Sequence, residues 1–182
     1  METIIDTEEL KITVSDTIYK KKSQENEESL KSAIIKNTLV KFKLFREIFH
    51  VEKLEKLYFE MYDEKEQLEA WRKDYTNLYK KNPLSYSRGY FEPSKNLSSC
   101  CLPINAVYKS PRWYKIISTN AHEAFHLYYQ KYFYHNDRIT WFDEGMAQFL
   151  SGEADYWLYN EEIFLKKWQY FITNYITITN LN

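Results

Sequence analysis

His122-Glu123-Ala124-Phe125-His126 brings two imidazoles and a carboxylate together in one short run. On a helix, histidines four apart project from one face about one turn apart, so both rings can reach a single metal ion. Glu123 follows the first histidine and points beside such an ion rather than at it. A carboxylate there can take a proton from a metal-activated water. The bland reading is a helix with two histidines and nothing bound. A second run weighs against it: Trp141-Phe142-Asp143-Glu144-Gly145-Met146-Ala147-Gln148-Phe149-Leu150. Catalytic zinc takes three protein ligands and leaves a fourth position open, and two histidines plus a carboxylate form one such set. Glu144 can supply that carboxylate from a second helix, although an isolated acid at a helix start would be read as solvated and favoured by the helix dipole. Thr140 is expected as the N-cap of this helix, with Asp143 three residues on as a variant capping box, and Gly152 as its stop. Gly145 and Ala147 are expected to keep side-chain bulk low where two helices pack near the metal.

The two motifs together resemble the gluzincin metallopeptidases, the peptidase-MA-like set around aminopeptidase N and the clostridial collagenases. In that family the second motif reads like W-L-N-E-G-F-A and its Glu is the third ligand. The resemblance implies one Zn2+ held by His122, His126 and Glu144, with Glu123 as general base. It also implies an α+β, small zincin-like catalytic domain: a mixed or antiparallel sheet packed on the zinc helix and on a second, ligand-bearing helix. Upstream, Gly89-Tyr90-Phe91-Glu92-Pro93-Ser94-Lys95-Asn96-Leu97 is similar to a stretch that precedes the zinc helix in small members. There it forms a hairpin whose outer strand lies along the cleft. The strand around Leu97 to Leu102 is expected to take an extended peptide as an added strand. No G-x-M-E-N type motif is present, which disfavours an aminopeptidase and favours an endopeptidase or oligopeptidase.

Two supporting roles stay open in the sequence. An oxyanion donor is needed besides zinc. In related enzymes a Tyr or His after the third ligand provides it; no histidine follows Glu144, and Tyr156, Tyr159, Tyr170 and Tyr175 all qualify. Metal-bound histidines also need acceptors for their other ring nitrogen, and Asp143 and Gln148 are near enough in sequence to serve. His50 and His135 read as ordinary surface or satisfied core histidines.

The elements that must position these residues follow from periodicity. Leu10 to Tyr19 reads as a first strand, Lys20 to Asn26 as a polar turn, and Glu27 to about His50 as a helix. Lys56 to Tyr62 reads as a strand with Leu57, Phe59 and Met61 on one face. Asp63 caps a helix carrying Leu68, Trp71, Tyr75 and Leu78, with Glu66 completing the capping box and an end near Asn82-Pro83. Ser110-Pro111 opens the zinc helix as cap and first helical residue. A last helix is expected over Glu161 to Tyr175. The chain divides as 1–55, 56–109, 110–152 and 153–182 within one expected domain.

Composition excludes several classes. The 182 residues carry a net charge of −1, which implies no general attraction to nucleic acid or to an anionic membrane. Lys20-Lys21-Lys22 is too short a basic run to change that. Aromatics make up 18% of the chain, with seventeen tyrosines, and most should be core or half-buried surface. The two cysteines, Cys100 and Cys101, are adjacent, a strained geometry for pairing, so a disulfide scaffold is excluded and a reducing compartment favoured. Met1 to Asp6 lacks the features of a signal peptide and no run approaches a membrane span, so a cytoplasmic location is expected. A peptide or protein substrate is the expected partner, with no nucleic acid and no membrane. Two other functions compete with a zinc peptidase: a binding or regulatory module that keeps the metal without turnover, and a latent enzyme plugged by one of its termini.

Overall fold

A computed structural model describes residues 1–16, 30–83, 89–102, 110–132 and 140–154. In chain order these form β1 (Glu2–Asp6), β2 (Leu10–Val14), α1 (Leu30–Phe49), β3 (Leu57–Asp63), α2 (Glu64–Tyr79), β4 (Gly89–Glu92), β5 (Leu97–Leu102), α3 (Pro111–Tyr132) and α4 (Thr140–Ser151). A 3-10 turn at Pro93–Lys95 joins β4 to β5. The described fold is thus α+β, with one mixed sheet of five strands and four α-helices. Among these residues no helix is long and apolar enough to cross a membrane.

The strand order is β1-β2-β3-β5-β4. β2, β3 and β5 run parallel in the centre, while β1 and β4 pair antiparallel at the two ends. β1 is an addition to the sequence reading. A tight turn makes it: Thr7 N–H donates to Leu10 O at 2.8 Å, and Leu10 N–H returns to Thr7 Oγ1 at 3.1 Å. The expectation that Leu97–Leu102 lies at the sheet edge is overturned. β5 pairs with β3 on one side (Phe59↔Ser98, Met61↔Cys100) and with β4 on the other (Phe91↔Ser98, Gly89↔Cys100). Its five residues after Leu97 are all buried, as an interior strand requires. The edge on that side is β4.

Side-chain alternation sends Leu10, Ile12, Val14, Leu57, Phe59, Met61, Cys100 and Leu102 to one face, where they meet α1 and α3 in the main core. Phe42, Phe45, Phe125 and Tyr128 fill the space between the two helices, with ring centroids 5.8–6.4 Å apart in the pairs Phe42–Tyr128, Phe45–Phe125 and Phe45–Tyr128. α2 covers part of the opposite face. There Trp71, its one buried residue, stacks 5.5 Å from Tyr90 of β4.

Helix starts follow their caps, with one change of partner. Asp63 caps α2 by accepting from Lys65 N at 3.1 Å, but Gln67 rather than Glu66 reaches back to the Asp63 N–H, at 3.2 Å. Trp113 N–H donates to Ser110 Oγ at 3.3 Å, and Pro111 is the first residue of α3. α2 ends earlier than Asn82-Pro83, through Lys80 in the left-handed region. α1 ends the same way at His50 (φ 53°), with Val51 N–H bonded to Arg46 O. His50 is exposed, in keeping with its reading as a surface residue. The expected turn at Lys20–Asn26, the helix over Glu161–Tyr175, His135 and the four candidate tyrosines lie outside the described residues.

Candidate metal centre

α3 runs along the core with Ala121 and Ala124 fully buried, and α4 packs on it through the equally buried Ala147. These small side chains let the two helices approach closely. That approach brings Glu144 of α4 over the turn of α3 that carries His122 and His126. Gly145 has no part in the fit. A Cβ added there would meet nothing within 4 Å, and the residue is exposed.

The three expected ligand residues converge. His122 Nε2 and His126 Nε2 lie 3.1 Å apart. Glu144 Oε2 is 3.6 Å from His122 Nε2, and Glu144 Oε1 is 3.5 Å from His126 Nε2. Each Glu144 oxygen thus faces one imidazole, and with one donor atom taken from each residue all three lie within 4.8 Å of one another. Among the described residues this is the only cluster of His, Cys, Asp and Glu able to hold a metal ion. Cys100 and Cys101 are buried and not joined in a disulfide. Burial first, then Glu123 and Cys101, push the Cys100 thiol up, which keeps it neutral.

The surroundings fix both rings. His126 Nδ1–H donates to Asp143 Oδ1 at 2.7 Å. Because a carboxylate only accepts, this proton leaves the lone pair of neutral His126 on Nε2, toward Glu144. Asp143 is 1% exposed, so the acceptor is itself locked in place. This is one of the two acceptors expected from sequence. The other, Gln148, points into solvent, and it is its backbone carbonyl that is engaged, accepting from Ser151 Oγ and Ala154 N–H.

The residue beside His122 is one the sequence reading missed. Glu153 Oε2 lies 3.2 Å from His122 Nδ1. This is an ion-pair contact outside the angular range of a hydrogen bond, so the buried Nδ1 has no hydrogen-bond partner in this geometry. Gly152, at φ 88°, ends α4 and turns the chain back, while Glu153 N–H bonds Ser151 Oγ at 3.2 Å. That turn swings the next carboxylate over α3. The available signal was an acid placed directly after a helix-stopping glycine.

Electrostatically the centre favours a positive charge. Two imidazole nitrogens 3.1 Å apart repel unless a proton or a metal lies between them. Burial opposes a charge on His122, yet Glu144 and Glu153 outweigh it and raise its pKa from 6.5 to about 10. A metal that takes the site therefore displaces a proton. The donor types brought together, two imidazoles and a carboxylate, fit a divalent ion of zinc's preferences.

Glu123, half-buried, stands on the side of α3 that faces β4. A Cβ built on Gly89 would lie 3.7 Å from Glu123 Oε1. The start of the sheet edge thus adjoins the carboxylate expected to act as base. Compared with known protein families, characterised proteins and solved structures, the chain matches none.

Proposed function

We propose that this protein is a zinc-dependent peptidase of the gluzincin kind, with a zincin-like arrangement of edge strand, zinc helix and ligand-bearing helix. The observation that carries the reading is the convergence of His122 Nε2, His126 Nε2 and the Glu144 carboxylate within 3.6 Å of one another, with Glu123 alongside. His122, His126 and Glu144 would hold one Zn2+. When bound, such an ion polarises a carbonyl and lowers the pKa of water toward neutrality.

The chain's own residues account for the remaining steps. Glu123 accepts the proton of the attacking water on a carboxylate oxygen and returns it to the leaving amine nitrogen. Asp143 holds the His126 imidazole with Nε2 inward, and Glu153 stands beside Nδ1 of His122. The substrate lies extended along β4, the edge nearest Glu123, and adds to the sheet as a further strand. This replaces the expectation that β5 takes it.

Cleavage of a random peptide library by the zinc-loaded chain, beside Glu123→Gln, tests the reading. The expected result is hydrolysis by the parent and a loss of about 10²–10⁴-fold in the variant, with zinc retained in both. Equal rates in parent and variant would remove Glu123 from the chemistry, and no cleavage by a fully loaded parent would leave a metal-holding module without turnover.

A further inference from the structure

The edge strand β4 carries its own fence. Tyr58 N–H donates to Asn96 O at 2.9 Å across the parallel β3–β5 pair. In that register the peptide groups of Ser98 and Cys100 turn toward β3. Their partners across the hairpin, Phe91 and Gly89, therefore point N–H and C=O away from β5, toward the free edge. No described strand lies beyond β4. The edge thus offers two outward residues. Gly89 sits beside Glu123. Phe91, two residues further on, is about 6.8 Å away.

The second of these is taken. Tyr79, the last residue of α2, donates its hydroxyl to the Phe91 carbonyl. Its ring is held at the edge by Tyr75, with centroids 4.8 Å apart, and by Tyr90, edge-on at 6.1 Å. Trp71 backs both of these tyrosines. The phenol is thus part of a packed aromatic row, yet still 37% exposed. Among the described residues, a strand adding to β4 finds no other strand beside Gly89. At Phe91 it meets an occupied acceptor and an aromatic ring.

We propose that Tyr79 sets the length of peptide this edge accepts, fencing β4 one residue pair beyond Gly89 and so selecting substrates short on the Phe91 side. The inference rests on the reading above that β4 binds an extended peptide. Its chemistry is that of a specificity residue: Tyr79 touches neither the metal ligands nor Glu123, and acts by holding the Phe91 carbonyl.

The test uses the full chain, loaded with zinc, and quenched-fluorescent random libraries of tetrapeptides and decapeptides. Tyr79→Ala should raise kcat/KM for decapeptides relative to tetrapeptides about fivefold or more, the worth of one regained backbone pairing. Tyr79→Phe keeps the aromatic row and should shift the ratio the same way by a smaller factor. An unchanged ratio in both variants overturns the proposal. A binding arm separates this result from failure of the peptidase reading. On a zinc-loaded Glu123→Gln background, anisotropy of labelled decapeptides should show a Kd about fivefold lower with Tyr79→Ala, even if the parent cleaves nothing. Equal affinity with and without Tyr79, or no decapeptide binding by either chain, overturns the fence whatever the activity.

Discussion

Two stripes of the same helix, α3, have opposite characters. One carries Phe125, Tyr128 and Tyr129 into the core, where Phe45 alone meets the rings of Phe42, Phe49, Phe125 and Tyr128. The rings there are apolar, and the Tyr128 hydroxyl is satisfied by donating to Glu55 O at 2.7 Å. The other stripe carries His122 and His126 into a wall of carboxylates: Glu123, Asp143, Glu144 and Glu153. Carboxylates gathered around two imidazoles hold together only while a positive charge, a proton on His122 or a metal ion, sits among them. The first stripe stabilises the fold by apolar burial, and the second draws a positive charge into the cluster. Changes on the two stripes should therefore have different signatures.

The largest stability effect belongs to the apolar stripe. Phe45→Ala, which empties the junction of four rings, should cost about 3–5 kcal/mol of unfolding free energy in denaturant titrations. The fraction that stays folded should still take one metal ion per chain. Loss of metal from folded Phe45→Ala protein would break the separation of stripes.

Next come the carboxylates behind the rings. Glu153→Gln and Asp143→Asn should each weaken zinc affinity about 10–100-fold in competition with a chromophoric chelator. The denaturation midpoint of the metal-free chain should move little. If Glu153→Gln leaves zinc affinity untouched, its contact with His122 is only an ion pair of the metal-free form. The smallest effect is expected at Gly89→Ala. The new methyl group would meet Glu123 Oε1 and Ser99 O at ordinary contact distance, 3.7 Å each. Stability should stay within about 0.5 kcal/mol, and peptide turnover should fall only a few-fold as the cleft narrows. A collapse of the fold in that variant would mean β4 is packed more tightly than its edge position requires.

The histidine stripe is the more legible of the two in sequence, because its residues sit at fixed offsets on regular helices. Helical spacing places His122 and His126 together, and the cap at Ser110-Pro111 fixes where that helix begins. The alternation of Leu57, Phe59 and Met61 was equally direct; all three are buried. What escaped depends on long-range pairing or on departures from regular backbone. Nothing in Leu-Ser-Ser-Cys-Cys-Leu reveals that β3 will dock on one side and β4 on the other, so the interior strand was read as the edge. β1 exists only because the Thr7–Leu10 turn folds it onto β2. Glu153 lies past a left-handed glycine, where helical projection no longer says which way a side chain points. Gln67 displaced Glu66 at the α2 cap by one position, a difference too fine for a motif to decide.

Metal content per folded chain, measured by elemental analysis for the parent and for His126→Ala, tests the central claim most directly. The account predicts about one zinc in the parent and little in the variant, with both chains folded. A parent that binds no metal tightly after reconstitution, or a His126→Ala chain that retains a full equivalent, would contradict it.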